Sequence, residues 1–352
     1  MFNKKKQVLL IATLALNGAV LAHEGVHSKN PAVQLDTMKQ GAIIGQGEFI
    51  FKVNHNWLDQ QGEDHLGATH GDIVFDEEGY LYVSFSDGQF KGIAKFSADG
   101  KFVKKLKGQY PDVHGMLIRK EGGREYIYAV SNTQGKMWKI DLQGNTVFSI
   151  NKTKIVEDSK VYKANDKGEY RVALTSVTVG PDGDIFLADG YSSNFIHIYT
   201  HDGKYKKSFG GWGKDIGRFH QAHDITIDTR FEQPYLVICN RANNRIEHWD
   251  FQGNFVRVIS EGLRMPGKIA FWEDNMIVAE LKGRVSILDK DHEIVAHLGE
   301  NSVGLSGNYH AEPEQWKQGE FLAPHTAKFD KLGNLYVMDW NYLGRVTQLV
   351  KQ

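Results

Sequence analysis

The stretch His70-Gly-Asp-Ile-Val-Phe-Asp-Glu-Glu-Gly79-Tyr-Leu-Tyr-Val83 recurs near the C-terminus as His325-Thr-Ala-Lys-Phe-Asp-Lys-Leu-Gly333-Asn-Leu-Tyr-Val337. A third copy is Thr175-Ser-Val-Thr-Val-Gly-Pro-Asp-Gly183-Asp-Ile-Phe-Leu187. Each reads as an apolar strand, a polar turn closed by glycine, and a second apolar strand. A later turn also recurs: Asp99-Gly100, Gln143-Gly144, Asp202-Gly203 and Gln252-Gly253 each precede another strand, such as Lys101-Phe-Val-Lys-Lys-Leu106. His70 to Gly100, His114 to Gly144 and His223 to Gly253 each span 30 residues, and Thr175 to Gly203 spans 28. Self-similarity at a fixed interval marks a repeat fold. The repeats open near residues 66, 110, 171, 219, 263 and 321. At about 40 residues and four short strands, each has the size of one propeller blade. The expected fold is an all-β, six-bladed β-propeller with four antiparallel strands per blade.

The sixth repeat reaches Gln352 with room for about three strands. Gly47-Glu-Phe-Ile-Phe-Lys-Val-Asn54 is an unpaired strand candidate that belongs to none of the repeats. It is expected to supply the missing outer strand and close the ring, removing the sheet edges that an open array exposes. The propeller is thus placed at 47–352, after a polar leader at 23–46. Insertions near 152–171 and 300–320 are expected to be loops on one face.

Residues 1–22 read as a signal peptide. Lys4, Lys5 and Lys6 form a basic start, Val8 to Leu16 an apolar stretch, and Val20-Leu21-Ala22 a small-residue cleavage site. The apolar run is too short to span a bilayer comfortably, and no second one follows. The expectation is an exported protein, secreted or periplasmic, with no membrane span and acting as a monomer. Loss of three lysines leaves 39 basic against 43 acidic side chains, a net −4 that excludes a nucleic-acid-binding surface of the usual basic kind. Cys239 is the sole cysteine, so no intramolecular disulfide forms, and its apolar run Tyr235-Leu-Val-Ile-Cys239 places it in the core.

The inner strand of each blade runs beside the propeller axis, so equivalent positions at its start form a ring. The ring residues are His70, His114, Thr175, His223, Gly267 and His325. Four histidines in six positions stand far above the background of 15 in 352. His114, His223 and His325 fall on blades two, four and six, which are related by threefold symmetry. Three imidazoles so placed converge on the axis, as in a catalytic zinc site with an open fourth position. His70, on blade one, is a fourth ligand or a nearby base. The other reading makes these polar strand starts in a wet channel. His197, His201, His248 and His292 fall on outer strands or turns and read as surface residues. His55, Trp57, His65 and His310 are placed at the channel entrance. Asp87, Asp189 and Asp339 are candidates for a structural calcium, or for hydrogen bonds that hold their turns.

The blades resemble those of NHL-repeat propellers over about residues 66–350. Two further segments, Ala188-Asp189-Gly190-Tyr191-Ser192-Ser193-Asn194 and Asn240-Arg241-Ala242-Asn243-Asn244-Arg245-Ile246, end the second strands of blades three and four. With Ser208-Phe-Gly-Gly-Trp-Gly213 and Gly217-Arg-Phe-His-Gln-Ala-His223, they resemble peptidyl-α-hydroxyglycine α-amidating lyase, which splits a carbinolamide into an amide and glyoxylate. The resemblance implies zinc at His114, His223 and His325, a catalytic role for Tyr191, and an active-site role for Arg241. This chain departs from that family at His70, where the lyase has arginine. It departs again at Ala323 and Thr326, where the lyase has methionine and aspartate. A small-molecule or peptide substrate is implied. A metal-dependent hydrolase or oxidoreductase on the same histidines, and a non-catalytic propeller binding protein or glycan, are the competing readings.

Overall fold

The computed structural model describes residues 41–55, 57–301 and 309–352. Residues 1–22, read as a signal peptide, and residues 23–40, read as part of a leader, lie outside the described residues. Six antiparallel sheets follow one another along the chain as the blades of a β-propeller. The inner strands are Ile73–Phe75, Val113–Glu121, Ser176–Val179, Ala222–Asp228, Pro266–Trp272 and Pro324–Phe329. Four of the ring residues begin or closely follow the start of these strands, while His70 and Thr175 sit just before theirs.

Blade six closes as the sequence predicts. Phe49–Asn54 pairs antiparallel with Arg345–Lys351, with Phe51 opposite Lys351 and Asn54 opposite Gln348. The alternation is the cause: Phe49, Phe51 and Val53 are buried while Lys52 is exposed. One strand precedes it. Ile43–Gln46, read as leader, pairs with Phe49–Asn54 and makes this sheet five-stranded. Its mostly exposed face gives no alternating signal, so the sequence shows no strand there.

Six apolar clusters hold the ring together, one between each pair of neighbouring blades. Phe49, Phe51 and Val53 sit with Ile277, Ile287 and Val337 between blades five and six, so the N-terminal strand is part of the closure. Cys239 is fully buried between blades four and five, and burial pushes its thiol well above the usual range. The 152–171 insertion is not all loop: Lys152–Ser159 is a helix, started by Asn151, whose side chain accepts from Lys154 N at 2.9 Å. No helix among the described residues is long and apolar enough to cross a membrane.

Candidate metal centre

The four ring histidines meet on the axis. Ring centroids of His114, His223 and His325 form a near-equilateral triangle with sides of 4.7, 4.9 and 4.9 Å. His70 lies 4.8 Å from His114 and 4.9 Å from His325.

One rule positions the three. Each donates its Nδ1–H to a backbone carbonyl of the next blade: His114 to Thr175 at 2.7 Å, His223 to Gly267 at 2.8 Å, and His325 to Gly71 at 2.8 Å. A neutral imidazole has one N–H, so this leaves Nε2 bare and aimed at the axis. Backbone hydrogen bonds of this kind orient histidine ligands in metal sites. Gly115 permits the arrangement, because a Cβ there would lie 2.7 Å from the Thr175 carbonyl. Among the described residues, no such carbonyl holds His70, and it is half-buried where the others are fully buried.

The protonation state follows from burial. Burial, with the neighbouring histidines and Lys268, holds His114 and His325 well below the usual range; for His223, Arg241 adds to burial. His70 is lowered to about 3 by burial, then by Arg241 and Lys268. All four are neutral near pH 7. His114 Nε2 and His325 Nε2 then face each other as acceptors 3.2 Å apart, with the Tyr191 hydroxyl 3.2 Å from the first. A cation relieves that repulsion. The spacing is close to the roughly 3.3 Å expected between ligands of a tetrahedral ion with bonds of about 2.0 Å.

Nitrogens of His70, His114 and His325 lie within 4.8 Å of one another, whereas His223 stands beside His114 and His325 by ring centroids 4.9 Å away. His114 and His325 thus have two neighbours that could complete a triad. The shared carbonyl pattern and full burial favour His223 over His70 as the third ligand.

Tyr191 and Arg241 join the same centre. The Tyr191 hydroxyl lies 2.9 Å from His223 Nε2 and 3.2 Å from His114 Nε2, and accepts from Arg241 Nη1 at 3.0 Å. Arg241 donates its other edge to Gln221 Oε1 at 3.1 and 3.0 Å. Asp189 fixes the turn that carries Tyr191. It accepts from Ala173 N at 2.7 Å, Ser193 N at 3.0 Å, Ser192 Oγ at 2.7 Å and the Tyr162 hydroxyl at 2.8 Å. Gly190 lets that turn lie against blade four: a Cβ there would come 2.1 Å from the Ala222 carbonyl.

Beneath the histidines lies an ionic layer that sequence reasoning missed. Lys268 Nζ sits 3.2 Å from Asp72 and 3.3 Å from Asp224, all three buried. Ser176 Oγ donates to Asp224 at 2.6 Å and Thr326 Oγ1 to Asp72 at 2.9 Å. Thr326 thus has a structural partner here. Burial works to raise the Asp72 carboxyl, but Lys268 and its other donors bring it below the usual range. Two carboxylates and one ammonium make up this layer. The available signal was charge directly after the ring residue on two inner strands, at Asp224 and Lys268.

Several expectations are corrected. His197 and His248 are fully buried. The 152–171 insertion covers His197, which bonds the Tyr162 hydroxyl at 2.8 Å and Ser208 Oγ at 2.7 Å. His248 lies against Asp228 at 3.3 Å, stacked on Tyr235. Asp228, His248 and His292 form a second cluster, but Arg230 grips both Asp228 oxygens at 2.9 and 2.8 Å. His55 and Trp57 are buried away from the entrance, His55 on Thr347 and Arg345, Trp57 in the cluster between blades six and one. Asp87, Asp189 and Asp339 are not brought together: each accepts backbone N–H groups that lead into its own blade, Asp87 from Ala68, Asp339 from Leu322 and Ala323.

No protein-family model matches the chain. Among solved structures it is similar to a streptogramin B lyase, with 15% identity and a TM-score of 0.56, covering 86% of this chain and 98% of that one. It is similar also to virginiamycin B lyase from Staphylococcus aureus, with 15% identity and a TM-score of 0.54, covering 85% and 99%. At such identity the likeness shows the fold alone. Neither structure is of an amidating lyase, so that resemblance rests on the sequence motifs.

Proposed function

We propose that this protein is an exported metal-dependent lyase, with zinc held by Nε2 of His114, His223 and His325. The observation that carries the reading is the common orientation of three buried histidines, each with its one N–H spent on a neighbouring carbonyl. Zinc bound there supplies Lewis-acid polarisation of a substrate oxygen. The chain's own residues supply the rest. Tyr191, receiving an N–H from Arg241, offers its oxygen as a station for the proton of a substrate hydroxyl. Arg241 steadies negative charge as it develops. His70, at the more open edge, is the second proton acceptor. The carbinol oxygen loses its proton and becomes a carbonyl, the carbon–nitrogen bond breaks, and the departing amide nitrogen takes up a proton; this is the cleavage that the amidating-lyase resemblance implies. Both similar structures carry lyase names, which favours elimination over hydrolysis or redox chemistry. The substrate is a small carbinol-like or carboxylated compound, or a peptide bearing one.

The test offers the zinc-loaded protein a peptidyl-α-hydroxyglycine and measures glyoxylate. Release by the native protein, slowed about 100-fold or more in Tyr191→Phe, is expected for loss of a positioned acid–base group. Equal turnover by Tyr191→Phe removes that residue from the mechanism, and no glyoxylate release from zinc-loaded protein removes the amidating-lyase reaction.

A further inference from the structure

A row of aromatic rings leads from His70 out of the histidine centre. The His70 ring stands 5.2 Å from Trp340, Trp340 stands 5.2 Å from Tyr309, and Tyr309 stands 6.1 Å from Tyr342. These spacings fall in the range at which aromatic rings attract one another. Trp340, Tyr309 and Tyr342 are half-buried, and none belongs to the six apolar clusters that hold the blades together. Large apolar rings left partly open beside a polar centre are typical of ligand sites.

The row is held in place. Trp340 follows the second strand of blade six, Leu335–Asp339, and its N–H bonds the Ala323 carbonyl at 2.8 Å, two residues before His325. Tyr309 comes from the 300–320 insertion, whose return is pinned where Tyr342 N donates to the Tyr309 carbonyl at 2.9 Å. Asn341 Nδ2 donates to the Ala311 carbonyl at 3.0 Å, and the Tyr342 hydroxyl to Glu312. The rings are therefore set before a ligand arrives, so little ordering entropy opposes binding.

We infer that Trp340, Tyr309 and Tyr342 form a subsite for a flat aromatic group, so that the substrates are aryl-bearing compounds or peptides with an aromatic side chain beside the reacting carbon. What the ring is attached to rests on the proposed metal site; the subsite itself does not. Two features point to a flat ring: the half-buried rings are themselves planar, and the nearest of them, Trp340, is 31° from the plane of His70. One added aromatic pair corresponds to roughly 2- to 12-fold in affinity.

The experiment titrates the zinc-loaded protein with phenylacetohydroxamate, with its saturated counterpart cyclohexylacetohydroxamate, and with acetohydroxamate. The phenyl compound is expected to bind several-fold tighter than the cyclohexyl one. Trp340→Ala and Trp340→Leu are expected to abolish that preference while acetohydroxamate binding and zinc content stay at native values. Equal affinity of the two rings for the native protein, or a preference that survives in either Trp340 variant, overturns the subsite. Failure of the metal reading looks different: no zinc and no acetohydroxamate binding, with phenylacetate still favoured over cyclohexylacetate in quenching tryptophan fluorescence.

Discussion

Replacing Lys268 with methionine tests the ionic layer beneath the histidines. The side chain is fully buried and serves two carboxylates, Asp72 and Asp224. Removing one partner of a buried ion pair costs about 3–5 kcal/mol, because a charge is left buried without compensation. Asp224 keeps two other donors, Ser176 Oγ and Ile269 N at 2.9 Å, and Asp72 keeps three, Thr326 Oγ1, Met116 N at 3.1 Å and Ile73 N at 2.9 Å. Those bonds keep the loss near 4 kcal/mol, or a fall in melting temperature of about 10 °C. The pH dependence carries the sharper signature. Without Lys268, burial dominates and the folded carboxyls rise above their unfolded values, so the deficit of the variant relative to the native protein shrinks as pH falls from 7 towards 5. In the native protein Asp72 is held below the usual range, so its contribution is intact over that interval and is lost only as pH falls through the unfolded value near 3.8. Urea unfolding of both proteins at pH 7 and pH 5 measures each. A Lys268→Met variant within about 1 kcal/mol of native at pH 7, or one equally destabilised at pH 5, refutes the assignment.

Three other outcomes follow from the same geometry. His197 is held at about 4, mainly by burial, so folding stability is intact above the unfolded value near 6.5 and falls by about 1.4 kcal/mol per pH unit below it. His197→Gln should lessen that slope by one proton in unfolding measured from pH 7 to 5. Phe51→Ala opens a cavity between blades five and six and unpins the closing strand, costing about 3–5 kcal/mol in urea unfolding. Gly190→Ala forces a Cβ onto the Ala222 carbonyl and displaces Tyr191, so activity should drop while zinc content is kept.

The repeats carried most of the fold, because a blade is a local unit whose turns and strands recur at one interval. Closure by Phe49–Asn54 was legible because the sixth repeat is one strand short and this strand had no partner of its own, whereas Ile43–Gln46 was not, since an outermost strand buries little. Register brought the ring histidines to notice and motif resemblance Tyr191 and Arg241, and these side chains lie beside one another. Lys268, Asp72 and Asp224 were hidden because a charged residue on a strand reads as solvent-facing until its partner from another blade is known. His197 and His248 were misread for a related reason: the 152–171 insertion and the neighbouring turn of blade five bury strands that a bare propeller leaves open. Trp340 and Tyr309 gave no signal, as their contact depends on an insertion folding back.

The central claim is that the three histidines hold one metal ion. Its most direct measurement is the metal content of the purified full chain by elemental mass spectrometry, native beside His114→Ala, His223→Ala, His325→Ala and His70→Ala. About one zinc per native chain, lost in the first three variants and retained in His70→Ala, is the predicted result. A zinc-free native protein that takes up no zinc on titration, or zinc retained in all of the first three variants, contradicts it.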